Sequence, residues 1–236
     1  MEDIIIEIRD IRKKFGKLQV LKGISCSLEK RQAVCILGPN ASGKTTLIKS
    51  ILGMVVPDSG DIVFNGQSVI NSYAYKSDIG YMPQIGRYPD NMKIGQLFKM
   101  MKDIRKSSTT LLDTDLIDAY NLEGMFNKTM KTLSGGTRQK VSAALAFMFD
   151  PAVLILDEPT AGLDPLAAEI LKEKILNEKD KGKLILITSH IMSEVDEIAD
   201  QVLYLFEGNI KFFKPIEELK METGELRLGR ALTKIL

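Results

Sequence analysis

The chain has 236 residues with 32 Lys and Arg against 31 Asp and Glu, a formal net charge of +1 that offers no whole-chain field for nucleic acid or an anionic surface. With 44% hydrophobic and 27% charged residues it has the make-up of a globular protein large enough to bury a core without disulfide or metal staples. Its apolar runs, such as Val141 to Phe149 broken by Ser142, fall short of the roughly 20 residues a bilayer crossing needs, and the acids just after Met1 argue against a secretory leader, so a cytoplasmic chain is expected.

Ile4, Ile6 and Ile8 alternate with charged neighbours, and Val20 to Leu28 follows a Gly16-Lys17 turn, which predicts an antiparallel edge sheet. Ala33 to Leu37 reads as a strand buried on both faces that empties into a glycine loop, after which Leu47, Ile48, Ile51 and Leu52 recur at helical spacing. Asn65-Gly66 between Ile62-Val63-Phe64 and Val69-Ile70 signals a hairpin, and Ile79 to Met82 a further strand. From Tyr88 the pattern turns helical and methionine-rich, and an inserted helical subdomain is expected over about 88–149, ending in an apolar helix from Val141 to Phe149. Val153 to Leu156 and Leu184 to Thr188 are short buried strands with a helix from Pro165 to Asn177 between them, the pattern of a parallel βαβ crossover. A hairpin of Val202 to Phe206 with Ile210 to Phe213 follows, and Pro215 opens a helical tail over 215–236. Cys26 and Cys35 lie in strand-like segments without metal-ligand spacing and are expected to be buried free thiols.

Gly38-Pro39-Asn40-Ala41-Ser42-Gly43-Lys44-Thr45 has the spacing of a phosphate loop, in the strand, loop and helix context such a loop requires. Its glycines let backbone amides turn inward toward an anion, the helix that follows adds its N-terminal dipole, Lys44 reaches the β- and γ-phosphates, and Thr45 offers a hydroxyl to magnesium. Thr46, next to it, is expected to join residues 38–45 in binding the nucleotide. Asp157 and Glu158, at the end of a buried strand, supply a carboxylate for the metal and another to polarise an attacking water. These residues predict a nucleotide-hydrolysing enzyme.

Leu133-Ser134-Gly135-Gly136-Thr137-Arg138-Gln139-Lys140, 23 residues before Asp157 counted from Ser134, resembles the signature motif of the ATP-binding subunits of ABC transporters. The resemblance covers essentially the whole chain and implies an α/β phosphate-loop NTPase. Its RecA-like core with an antiparallel β subdomain would occupy 1–84 and 150–214, joined by the helical insertion. It implies ATP and Mg2+ as ligands, with Thr45, Gln84 and Asp157 at the metal and Glu158, His190, Gln84 and Lys44 in catalysis. It further implies that Phe15 stacks on adenine where the family commonly has tyrosine, and that Ser134, Gly135 and Gly136 cap the nucleotide of a partner subunit. Asp164 would sit on the dimer seam. Thr137 departs from the family's usual glutamine.

In the family the signature of one subunit caps the nucleotide on the other's phosphate loop, so with one of each the resemblance implies a head-to-tail pair, most simply a homodimer, bound to separately encoded membrane-spanning permease subunits on the cytoplasmic face of the cell membrane. The rival reading is a soluble ABC ATPase acting on ribosomes, nucleic acid or repair, but such relatives generally look like fused ATPase pairs or carry coiled-coil insertions, and no direct nucleic-acid contact is expected. A GTPase is disfavoured because Asn127-Lys128-Thr129-Met130 lacks the acid of a guanine-reading motif. The signature run is also similar to exporter-type ATPases that accompany copper-site maturation of nitrous oxide reductase. Lys99, Lys102, Arg105 and Lys106 read as a solvated helix face, with lipid headgroups as the alternative. The insertion around Gln84 to Met101, with Tyr88 and Pro89 exposed, is expected to dock on the membrane subunit.

Overall fold

The computed structural model describes residues 3–105 and 112–236; Lys106, named above, lies outside them. Strands β1 (Ile4–Phe15) and β2 (Leu18–Glu29) pair antiparallel across the Gly16-Lys17 turn. Ile5 is buried together with Ile6 and Ile8, so the simple alternation expected here is broken. The cause is a register shift between Ile4 and Ile6, which turns adjacent side chains to the same side. Strand β3 (Gln32–Leu37) leads through residues 38–43 into α1 (Lys44–Ile51), which buries Leu47, Ile48 and Ile51. Next, β4 (Ser59–Phe64) and β5 (Gln67–Ser68) close around Asn65 and Gly66, whose φ values of 46° and 76° are those a tight primed turn demands. Val69 and Ile70 do not continue β5 as expected, because the Ser68 hydroxyl accepts from Ile70 N and Asn71 turns the chain at φ 58°.

After β6 (Ile79–Met82) come α2 (Ile94–Ile104), α3 (Asp115–Ala119) and α4 (Gly135–Phe147), with no strand among the described residues before β7 (Val153–Asp157). Helix α4 begins six residues before the predicted Val141, because the Ser134 hydroxyl accepts from Thr137 N and caps its first turn. The remainder is α5 (Pro165–Asp180), β8 (Leu184–Thr188), α6 (Met192–Ile198), β9 (Gln201–Phe206), β10 (Asn209–Pro215), α7 (Ile216–Thr223) and α8 (Leu228–Ile235).

The strands form two sheets, an antiparallel one ordered β2-β1-β4-β5 and a six-stranded one ordered β10-β9-β3-β8-β7-β6. The second is parallel apart from the β9–β10 hairpin. Its central strands divide their side chains between two apolar layers with the period of two that pleating imposes. Val153 and Ile155 of β7, with Leu184 and Leu186 of β8, pack toward α1 and the antiparallel sheet. Leu154, Leu156, Ile185 and Ile187 pack instead with α2, α4 and α5. Each such side chain is worth about 1.5–3 kcal/mol when fully buried, which pins the strand ends that carry the acids. The tail helices α7 and α8 cover α6 through Ile216, Leu219, Leu228 and Leu232, and Lys220 ion-pairs with Asp196 at 2.7 Å.

Both cysteines are free: Cys35 is buried, and Cys26, expected to be buried too, is only half-buried. Desolvation pushes the Cys26 thiol up to about 12 and raises that of Cys35 as well, so neither is primed as a thiolate. On α5, Glu178 is fully buried and meets Lys174 at 3.0 Å, Lys181 at 2.7 Å and Lys183, while Lys174 also reaches Asp113 and Asp115. This network ties α5 to the approach to α3. Among the described residues no helix is long and apolar enough to cross a membrane.

Candidate functional site

A cleft of about 320 Å³ opens where β3, β7 and β8 end, and is lined by residues 40–46, Gln84, Asp157, Glu158, Thr188 and His190, with Leu18 and Val20 on one wall. Gly38 and Pro39 stand behind this lining. Gly38 has φ 146°, and a Cβ there would lie 2.1 Å from the carbonyl of Leu205, so the β9 backbone leaves room for glycine alone. The loop is fixed from outside by Gly208 N donating to Ser42 O at 3.1 Å. Gly43, at φ 109°, begins α1 without a side-chain cap, so the first amides of the helix are left for another acceptor. The Ser42 hydroxyl is buried without a partner. An uncapped helix start, a loop that only glycine fits and an orphaned hydroxyl together suit an anion of phosphate size.

Lys44 Nζ donates to the carbonyls of Gly38 and Pro39 at 2.7 and 3.0 Å, folded over the loop it follows. Burial lowers its pKa, with the charges of Glu158 and Asp157 acting in the opposite direction. Asp157 closes β7 opposite Thr188 of β8, whose hydroxyl donates to Asp157 Oδ1. Glu158 follows with φ 53°, a left-handed conformation that costs a non-glycine residue about 1–2 kcal/mol. Its amide donates to both the carbonyl and the hydroxyl of Thr188 at 3.1 Å, and its carbonyl accepts from Gln139 Nε2 at 3.3 Å and Ala161 N at 3.1 Å. With both backbone groups held, the strained turn aims the carboxylate at the cleft, where Oε1 lies 3.1 Å from His190 Nε2. Gln84, just past β6, reaches the same cleft from the other side.

Other residues singled out in the sequence lie outside this cleft. Phe15 is 51% exposed at the end of β1, beneath Lys13 Nζ at 5.5 Å, and is joined to the cleft only through its hairpin partner Leu18. Ser134 and Gly135 are exposed at the start of α4, and a Cβ on Gly136 would lie 2.7 Å from the carbonyl of Gly162, so this glycine lets α4 approach the loop after Glu158. Asp164 caps α5 by accepting from Ala167 N at 2.9 Å and meets Lys140 Nζ at 2.7 Å; the Lys140 hydrogen bond lowers its pKa. Tyr88 is half-buried rather than exposed, because its hydroxyl donates to Ser142 Oγ at 3.0 Å, whereas Pro89 is exposed.

Thr188 and Gln139 escaped the sequence reading as site residues. A hydroxyl closing the otherwise apolar strand LILIT was the available signal for Thr188. Gln139 gave none, since only the packing of α4 brings it to the carbonyls of Glu158 and Pro159.

Compared with known proteins, residues 21–161 match the family model described as ABC transporter. The chain is 35% identical over 246 aligned positions to the xylose/arabinose import ATP-binding protein XylG of Sulfolobus acidocaldarius, covering 98% of this chain and 96% of that one. It is 30% identical over 225 residues to the Nod factor export ATP-binding protein I of Ralstonia nicotianae, covering 93% of this chain and 70% of that one. A solved structure described as the ATP binding subunit of an ABC transporter superposes with a TM-score of 0.89 at 25% identity over 98% of each chain.

Proposed function

This chain belongs to the ATP-binding subunits of ABC transporters, and from that membership we propose that it hydrolyses MgATP at the cleft described above to drive separately encoded permease subunits at the cytoplasmic face of the membrane. The observation that carries the reading is the convergence of the 40–46 loop, Gln84, Asp157, Glu158 and His190 on one cleft from four separate stretches of chain. In this reading 1–84 and 150–214 form the ATPase core, 88–149 the helical subdomain and 215–236 a tail.

The loop amides and the Ser42 hydroxyl would receive the phosphates, and Lys44 would exchange the carbonyls of Gly38 and Pro39 for β- and γ-phosphate oxygens. Magnesium, held by the Thr45 hydroxyl with Asp157 and Gln84, would neutralise charge building on those oxygens. Glu158 would polarise a water whose oxygen bonds to the γ-phosphorus as the bond to the bridging oxygen breaks and its electron pair leaves with ADP. His190, within reach of Glu158 Oε1, would hold that carboxylate and touch the γ-phosphate. Phe15 would stack on adenine from the rim. Ser134, Gly135 and Gly136 would close over the nucleotide of a second copy of this chain, with Asp164 at the seam.

The proposed direction is export, the sense named for the Nod factor relative; the sugar relative is named for import, so transport into sealed vesicles in both senses is the deciding measurement. A copper-processing cargo gains no support from the relatives, which are named for Nod factor export and sugar import. Purification in mild detergent should retain a membrane-spanning partner and an ATPase activity that Lys44→Ala abolishes. A chain that hydrolyses ATP but captures only ribosomes or nucleic acid would overturn the transport assignment.

A further inference from the structure

Thr188 is 3% exposed at the end of a strand whose other four residues are apolar, where valine would fill the same volume. Its hydroxyl therefore needs a reason that packing does not give. A hydroxyl has one proton and two lone pairs, and an ionised carboxylate can only accept. Since Glu158 N donates to Thr188 Oγ1 at 3.1 Å, the proton of that oxygen goes to Asp157 Oδ1. The direction of both bonds is fixed by this accounting. One side chain thus grips two successive acids, orienting the carboxylate of Asp157 and anchoring the amide of Glu158 at its left-handed turn.

We propose that Thr188 is a positioning residue of the ATPase site, setting Asp157 Oδ2 toward the cation and Glu158 toward the water. It rests on the MgATP reading given above. Neither role is served by the aliphatic isostere, because Thr188→Val leaves Asp157 Oδ1 without its donor and Glu158 N with the Thr188 carbonyl position alone. The parallel register that places residue 188 opposite 157 would persist in that variant.

The test compares Thr188→Val, Thr188→Ala and Thr188→Ser by steady-state hydrolysis against Mg2+ concentration, and by binding of a fluorescent ATP analogue in EDTA and with Mg2+. Loss of a group that orients a metal ligand typically costs about 10- to 100-fold. Thr188→Val should therefore need about tenfold more Mg2+ for half-maximal rate and lose about tenfold in kcat, with affinity in EDTA unchanged. Thr188→Ser should recover most of both. Val with wild-type Mg2+ demand and kcat, Ser as impaired as Val, or affinity in EDTA falling in step would each overturn the proposal. If Val fails to fold by thermal unfolding, Ala and Ser, which differ by one oxygen, make the same comparison, and equal impairment overturns it. A wild-type chain without Mg2+-stimulated hydrolysis would instead overturn the MgATP reading and this proposal with it.

Discussion

His190 Nε2 lies 3.1 Å from Glu158 Oε1, although 32 residues separate the two in the chain. The parallel pairing of β7 with β8 makes the contact, because Asp157 and Thr188 are the last partners of that ladder and each strand ends just short of one member of the pair. The carboxylate is 12% exposed and the imidazole 63%, so the histidine covers the acid from the solvent side.

Glu158→Gln keeps the side chain's size and removes the carboxylate that would polarise water. Hydrolysis should fall by at least about 100-fold, the lower range for a general base, while ATP binding survives. The variant should collect as an ATP-bound dimer on size-exclusion chromatography, and Ser134→Arg added to it should return the monomer by blocking the signature side. A wild-type hydrolysis rate would remove Glu158 from catalysis, whereas a slow variant that stays monomeric would count against closure as a homodimer.

Phe15→Ala should weaken ATP binding by about 0.5–1.5 kcal/mol, the worth of an aromatic stacking contact, with little change in kcat because stacking is kept in the transition state. The ring is exposed, paired through its strand with Leu18 of the cleft wall and with Lys13 above it, so a modest loss is expected. Nucleotide titration that finds unchanged affinity would take Phe15 out of the site.

Glu178 provides a pH test. Burial opposes its charge, but hydrogen bonds from Lys181, Lys183 and Lys174 outweigh that and hold the carboxyl down to about 2. Its ordinary value is about 4.3, so the folded pKa is depressed. The stabilisation is present above the unfolded value and is lost as pH falls through that value toward the folded one. Glu178→Gln, which leaves three lysines around a neutral group, should cost about 3–5 kcal/mol at pH 7. Thermal unfolding should show the gap to wild type closing between pH 5 and pH 2, and a gap independent of pH would contradict the assignment of this network.

The docking prediction moves with Tyr88. Because its hydroxyl bonds to Ser142, Tyr88→Phe should act on stability, by about 1 kcal/mol. Ile85 and Pro89 are exposed in the same loop, and Ile85→Glu or Pro89→Glu should reduce recovery of the permease without changing the fold. Undiminished co-purification and coupled transport with both variants would exclude this loop as the docking surface.

The sequence by itself determined the local chemistry. The apolar run Ala33 to Leu37 followed by Gly38 to Thr46 specified strand, loop and helix, and β7 and β8 were legible from buried β-branched and leucine runs too short for helices. Short-range signals of this kind are set by backbone sterics and by the period of side-chain burial, both of which act over a few residues. Only the tertiary structure decided which ends meet. That Thr188 grips both acids follows from a ladder between strands 31 residues apart, that Gln139 supports the turn at Glu158 follows from how α4 packs, and that Tyr88 is covered follows from Ser142 on that helix. Asp164 shows the limit most plainly: the family resemblance leads one to expect it on a dimer seam, while within this chain it caps α5 and pairs with Lys140, because a carboxylate at a helix start finds the nearest amide and the nearest ammonium.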